Sequence, residues 1–368
     1  MSDDRLCKIA LNAIPYMHPV IFQKLTDACG SACAVFKTSA EDLARINDVP
    51  ESLADKIRAC DPVKLAESEI SYADKIGAYI ITMGEEGYPK PLSSVFAPPP
   101  VLSINGQWRK EDSICIAVVG TRIPTTYGKI MTEKMSTSLV ESGFTVISGL
   151  ARGVDGVAHR AAIKAGGRTM AVLGCGLNIY YPPEHRKLQR AIPEHGAVIS
   201  QFSFTTGPGK TLFPIRNRVI SGLSLGTLVI EAPVKSGALI TAYSALNDNR
   251  DVFALPGPVN SKKSEGTNKL IKKGHAKLVQ SVDDIIEELP EYILGLTKPR
   301  QASLNLKKEA RLTENEKTVI KHIDSNEKHI DQVAVNSGLP LNTVSAILLS
   351  LEIKGLVKQV AGKMFLRH

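Results

Sequence analysis

Between residues 114 and 279 the chain alternates short apolar runs with longer amphipathic stretches, and few folds accommodate that rhythm. The runs fall at 114–119, 144–147, 169–173, 197–200, 227–231, 251–255 and 276–279. Most are rich in β-branched residues and lack the apolar–polar alternation of a sheet with one face in water. Strands buried on both faces and separated by helices predict an α/β fold, an extended Rossmann-like doubly wound parallel sheet.

The flanking segments read differently. Residues 1–76 place apolar side chains at helical spacing, as in Leu6, Ile9, Ala10 and Ala13, and predict a small helical domain of the SAM or helix-hairpin-helix type. The outline of the latter covers Leu43–Ile57, but its hairpin, Asn47-Asp48-Val49-Pro50, lacks the glycines that let phosphate approach a backbone. A Rossmann-like domain is expected over 77–290 and a linker over 291–311. Over 312–368 the stretches Thr313–Asp324, Ile330–Ser337 and Leu341–Lys354, followed by Leu356–Leu366, predict three helices and a β-wing, the winged-helix pattern.

Charge is concentrated in the middle. Residues 111–280 hold 21 Lys and Arg against 11 Asp and Glu, a net of +10, whereas residues 1–76 hold 9 against 12. The positive field favours a polyanionic partner for the central domain, while the first 76 residues suit packing or a protein partner. The recognition helix expected between Pro340 and Ile353 has no Lys or Arg. Phosphate contacts call for cations, so a protein-contact or dimerising role is expected there. Cys7, Cys29, Cys33, Cys60, Cys115 and Cys175 form no CxxC pair and have no histidine cluster beside them, so reduced, mostly buried thiols and no metal site are expected. No basic-then-apolar leader and no bilayer-length run is present, which predicts a cytoplasmic protein without a membrane partner.

In an open α/β sheet the ligand lies beyond the carboxyl ends of the strands. The residues there are Gly120-Thr121-Arg122, then Ser148-Gly149-Leu150-Ala151-Arg152-Gly153, then Gly174-Cys175-Gly176. Glycines let amides approach an anion, and Arg122 and Arg152 offer forked donors for phosphate oxygens. No GxGxxG string is present and no acidic residue ends the second strand, so a dinucleotide cofactor is not expected. A second cluster runs Lys210-Thr211-Leu212-Phe213-Pro214-Ile215-Arg216-Asn217-Arg218. An aromatic ring among cations suits single-stranded nucleic acid, because a base stacks on the ring while phosphates meet the charges. The competing reading makes Phe213 a core residue and pairs Arg216 or Arg218 with a carboxylate such as Glu231. Asp155 and His159, four apart, share a helix face. A helix-start carboxylate and a locally bonded imidazole are the preferred reading over a metal or acid–base pair.

Several motifs together carry a family resemblance. They are Tyr88-Pro89 with Pro98-Pro99-Pro100-Val101-Leu102; Val118-Val119-Gly120-Thr121-Arg122 with Tyr127-Gly128; and Ser148 to Asp155 with Ala158-His159. Downstream follow Phe213-Pro214-Ile215-Arg216-Asn217-Arg218, Ser236-Gly237-Ala238-Leu239-Ile240-Thr241, and Pro256-Gly257 with Gly266-Thr267-Asn268. In this order they resemble the DNA-processing protein A family, also called DprA or Smf. The resemblance implies a non-catalytic, cofactor-free protein that binds single-stranded DNA as a homodimer and loads the recombinase RecA during natural transformation. It places the DNA pocket on Gly120, Thr121, Arg122, Lys210, Phe213, Arg216, Asn217 and Arg218, to which the strand-end reading adds Arg152, with Gly149, Gly153, Ser236 and Gly237 in support. The chain departs from the family where Ser200-Gln201 replaces Ser-Glu, and where Gly274-His275-Ala276 stands for Gly-Ala. The alternative is a nucleotide-processing Rossmann hydrolase of the phosphoribohydrolase type, whose glycine loop Ser236–Thr241 echoes distantly. In that class a glutamate follows the loop, and here Ala242-Tyr243-Ser244 offers none.

Overall fold

The apolar runs do become strands, buried on both faces from the run at 114–119 to that at 227–231, whereas the edge run at 276–279 yields two residues that stay partly exposed. In the computed structural model, which describes residues 3–290, 293, 312–324, 326–353, 356–360 and 362–367, the strands are β3 (Cys115–Val119), β4 (Thr145–Ser148), β5 (Thr169–Val172), β6 (Gly196–Ser200), β7 (Gly226–Val229), β8 (Asp251–Ala254) and β9 (Lys277–Leu278). All seven run parallel. Two further strands, β1 (Ala78–Thr82) and β2 (Val101–Gly106), extend the sheet with antiparallel pairing, β1 to β2 and β2 to β6. The sheet is therefore mixed, with order β1-β2-β6-β5-β4-β3-β7-β8-β9. The chain enters the parallel part at β3, winds outward to β6, then returns to β7 beside β3. This reversal is the topological switch point, where the loops after β3 and β7 part and leave a crevice.

Helices cover both faces. α1 (Asp3–Ala13), α2 (Pro19–Cys29), α3 (Ala32–Lys37), α4 (Ala40–Ala44), α5 (Glu51–Ala59) and α6 (Pro62–Lys75) precede the sheet, and α7 (Lys90–Ser93) lies between β1 and β2. The crossovers are α8 (Thr126–Glu141), α9 (Val154–Lys164), α10 (Arg186–His195), α11 (Leu212–Leu223), α12 (Gly237–Asn247) and α13 (Glu265–Lys272), with α14 (Asp283–Ile286) after β9.

The segment 1–76, expected as a domain of its own, forms helices but shares its core with the sheet. Ile9, Leu11, Leu25, Leu43 and Ile57 pack in one cluster with Leu150, Leu173, Cys175 and Phe204. Polar contacts run the same way. The Glu69 carboxylate accepts from Ser203 Oγ at 2.8 Å and from the Phe204 amide at 3.1 Å, and the Tyr72 and Phe204 rings stack with centroids 6.2 Å apart. Residues 1–299 accordingly form one compact unit. The hairpin Asn47-Asp48-Val49-Pro50, read as unsuited to a DNA clamp, buries Val49 in the core while exposed Asp48 pairs with Lys24.

The thiols correct one expectation. Cys7 and Cys33, 26 residues apart, are joined by a disulfide with Cα atoms 5.1 Å apart, because α1 and α3 pack directly on each other. Cys29 and Cys60 are half-buried, and only Cys115 and Cys175 are buried free thiols. Desolvation pushes these two up to about 12 and about 11.

Residues 300–368 form a second compact unit. Its helices are α15 (Glu314–Lys321), α16 (Ile330–Ser337) and α17 (Leu341–Ile353). A three-stranded sheet in the order β10 (Lys328–His329), β12 (Met364–Arg367), β11 (Val357–Val360) supplies the wing. Thr313 and Glu316 form a capping box at the start of α15, which fixes where that helix begins. The expected linker 291–311 lies outside the described residues except for Ile293. Among the described residues no single helix is long and apolar enough to cross a membrane.

His159 yields a stability prediction. It is fully buried on α9, with Nδ1 2.7 Å from Thr169 Oγ1, and burial lowers its pKa from 6.5 to about 3. The folded chain therefore keeps it neutral while the unfolded chain protonates it. Stability contributed by this residue is complete above about pH 6.5 and falls by about 1.4 kcal/mol per pH unit as pH drops towards about 3. Urea unfolding at pH 7 and pH 5 should show a loss in the parent chain that His159→Gln largely removes. An equal loss in both would show that His159 does not set the acid sensitivity.

Candidate nucleic-acid interface

The crevice at the switch point is built from strand-end loops and the first turn of α11. Pro214 falls near the helix start, where its missing N–H costs no bond. One turn later Arg216 and Asn217 are buried and face the strand ends.

Arg216 organises the floor. Its Nη1 donates to the carbonyls of Gly149, at short range, and Val172, at 2.6 Å, and its Nε donates to Asn217 Oδ1 at 3.0 Å. A Cβ on Gly149 would run into this guanidinium and displace it from its two carbonyls. Burial lowers the Arg216 pKa, and Asp155 opposes the shift. Burial raises the Asp155 pKa in turn, against Arg216 and the amides of Gly149 and Ala151, both of which donate to Asp155 Oδ2 at 3.2 Å. Asp155 thus holds a loop, as the reading of a helix-start carboxylate requires.

Phe213 stands above this floor, half-buried. Its ring lies over Gly174, where a Cβ would meet it at 2.6 Å. The Arg122 and Arg216 guanidinium carbons lie 5.3 Å and 5.8 Å from its centroid, and the Tyr181 ring 5.7 Å away. Arg122 and Lys210 are exposed, so the rim carries cations while the floor holds the opposite charges of Arg216 and Asp155.

Gly120, Thr121, Arg122, Lys210, Phe213, Arg216, Asn217, Ser236 and Gly237 all line this one cavity. Asn217 Nδ2 donates to the Gly237 carbonyl at 3.2 Å, and Ser236 Oγ caps α12 through the Ala238 amide. Gly149 and Arg152 line an adjoining cavity, which shares Arg122, Tyr181, Phe213 and Arg216 with the first. Gly153 lies behind, where its positive φ of 75° and close approach to the Thr121 carbonyl exclude a side chain. Arg152 is not free at the rim: it pairs with Glu184.

Two expectations are corrected. Arg218 does not join the cavity. Two residues on from Arg216, it is turned about 200° around α11, so it donates to the Phe96 carbonyl at 2.6 Å and its guanidinium stacks on that ring. Glu231 orients neither Arg216 nor Arg218. Its carboxylate accepts from the Thr125 amide at 2.9 Å and from Thr125 Oγ1 at 2.5 Å, anchoring the start of α8. Tyr181 and Lys235 also line the cavity and were missed. Lys235 follows β7, a strand end without the glycine signal, and Tyr181 lies further along the loop after β5 than the Gly174-Cys175-Gly176 stretch, so following each strand-end loop to its next helix finds both.

Comparison with known proteins agrees with this architecture. Residues 79–290 match the family model for DNA recombination-mediator protein A, and residues 306–363 match that of the DprA winged helix domain. The Protein Smf of Escherichia coli K12 is 37% identical over 302 residues, spanning 82% of this chain and 80% of that one. The DNA processing protein DprA of Bacillus subtilis 168 is 42% identical over 224 residues, 61% and 75% of the two chains. Among solved structures, DprA from Streptococcus pneumoniae superposes with a TM-score of 0.67 at 30% identity, covering 79% of this chain and 99% of that one. DNA processing protein A from Helicobacter pylori, described for its single-stranded DNA binding mode, gives 0.53 at 29% identity over 60% and 97%. With its mostly parallel sheet, its winged helix and these relatives, the chain belongs to the DprA/Smf family of DNA recombination mediators.

Proposed function

We propose that the Phe213 cavity binds single-stranded DNA, and that the chain, acting as a homodimer in the cytoplasm, loads RecA recombinase onto incoming DNA in natural transformation. The observation that carries the binding reading is the half-buried Phe213 ring with exposed Arg122 against it and exposed Lys210 lining the same cavity. A stacking surface beside two unpaired cations is the chemistry a single strand needs. The relative from Helicobacter pylori, with its single-stranded DNA binding mode, supports the assignment. A binding role without covalent chemistry is favoured because Asp155, the carboxylate among the lining residues, is engaged by two backbone amides and balanced by the nearby charge of Arg216. For the dimer, support comes from the apolar surface of α12 and β9, where Ile240, Tyr243 and Leu278 are exposed. For the winged helix a protein-contact role is proposed: α17 carries no Lys or Arg and exposes Leu341 and Leu349.

Charge and stacking leave different signatures. Arg122→Ala or Lys210→Ala should weaken binding of every single-stranded sequence by a similar factor and flatten the slope of log affinity against log salt by roughly 0.7. Phe213→Ala should cost about 1 to 3 kcal/mol with little change of slope, because no counterion is released at a stacking contact. Arg218→Ala, outside the cavity, should bind as the parent does. Fluorescence anisotropy over a salt series checks all four, and wild-type affinity and slope in Arg122→Ala and Lys210→Ala would reject the cavity. Light scattering at micromolar concentration should return twice the chain mass of 39.7 kDa; the monomer mass would reject the dimer. Stimulation of RecA strand exchange on DNA coated with single-strand-binding protein tests the loading step, and no stimulation would remove it.

A further inference from the structure

Beyond the cavity, the surface carries a second set of cations that is arranged rather than scattered. Arg186 and Arg190, four apart on the exposed side of α10, share a helix face. Their guanidinium carbons lie 5.0 Å and 5.3 Å from the centroid of one ring, Tyr180, and Arg190 Nε also donates to Tyr180 Oη at 3.2 Å. No described carboxylate pairs with either. Both side chains are therefore pre-ordered on an aromatic plane and keep outward N–H groups unspent, which lowers the entropy lost when a phosphate arrives.

Their position matters as much as their charge. Tyr180 is the chain neighbour of Tyr181, whose ring approaches Phe213, and adjacent Cα atoms are about 3.8 Å apart. Phe213 and Tyr181 are in ring contact at the cavity, and Tyr180, the next residue in the chain, carries the two arginines of α10. Beside these rings Arg152 pairs with Glu184, both side chains half-exposed at 53% and 48%. An exposed pair of this kind is weak, and a phosphate oxygen offers Arg152 the same forked geometry that the carboxylate does.

We propose that a bound single strand leaves the cavity over Tyr181 and Tyr180 and follows α10, with Arg186 and Arg190 holding its phosphates and Arg152 exchanging Glu184 for another. This rests on the reading of the Phe213 cavity as the primary single-strand site, and it extends that site rather than replacing it. Glu184 becomes a built-in competitor of DNA, so removing it tightens binding.

Oligonucleotide length separates the two sites. A strand of about two or three nucleotides stays within the cavity, whereas one of about twenty also runs along α10. Arg186→Ala/Arg190→Ala, checked for folding by circular dichroism, should bind the short strand as the parent does. It should bind the long strand roughly tenfold more weakly, with a salt slope lower by about 1.4, for two lost phosphate contacts. Glu184→Gln should bind the long strand roughly two- to fivefold more tightly, with a slope steeper by about 0.7. If the double variant matches the parent on the long strand while Lys210→Ala weakens both lengths, the track along α10 is wrong and the cavity stands. If Lys210→Ala weakens neither length, the cavity reading fails and the track fails with it.

Discussion

A guanidinium taken out of water needs acceptors at fixed places, and the geometry of the crevice follows from how Arg216 finds them. Its side chain reaches from the second turn of α11 to the ends of β4 and β5, where the carbonyls of Gly149 and Val172 receive it. Asp155, on the next helix of the winding, supplies the opposing charge without contacting it as an ion pair. Burying an unpaired charge costs several kcal/mol, so these partners have to be in place together. The consequence is mutual: α11 is fixed relative to two strands, and with it Phe213 above and Asn217 beside. The rim cations are then free to meet a ligand because the floor has been neutralised from within.

Much of this was legible in the chain, and the exceptions have identifiable causes. Gly120, Thr121, Arg122, Gly149 and Gly174 could be read as a group because strands buried on both faces announce their own ends, and ligand loops sit there. Arg216 and Arg218 looked equivalent in a string of basic residues. Helical rotation separates them, and a register fixed on Phe213, Asn217 and Ile220 excludes Arg218 from that face. Charge points Glu231 to an arginine, yet its carboxylate is taken up by the Thr125 amide and hydroxyl at the start of α8. The pair β1–β2 gives little signal because a proline-rich connection with α7 separates its strands, and their less buried residues gather at one end rather than alternating. The link between Cys7 and Cys33 has no local signal at all, since it depends on how α1 meets α3.

The two antiparallel strands change more than the strand count. A parallel sheet that ended at β6 would leave a long unpaired edge beside the loop that leads to α11. β2 covers that edge by pairing residues Ser103 to Gly106 with Ser200 to Ala197, and β1 follows it. Arg168 then reaches the buried Asp112 through two bonds of 2.6 and 2.7 Å, while Asp112 also accepts from Thr145 and the Arg109 amide. The amino ends of the strands are tied by these polar contacts, and the carboxyl ends stay available to a ligand.

The core shared between the first six helices and the sheet has a practical bearing on how the protein can be divided. Leu150, Leu173, Cys175 and Phe204 share one buried cluster with Ile9, Leu11 and their neighbours, and Tyr72 stacks on Phe204. A fragment trimmed to start at β1 would carry every cation of the crevice and every strand beneath it, yet would show water a contiguous apolar face that nothing in the remaining chain covers. Surfaces of that kind associate with one another. A boundary drawn by change of secondary structure, at residue 76, is thus a poor place to cut, whereas one drawn by contact, near residue 299, leaves each piece with its own interior.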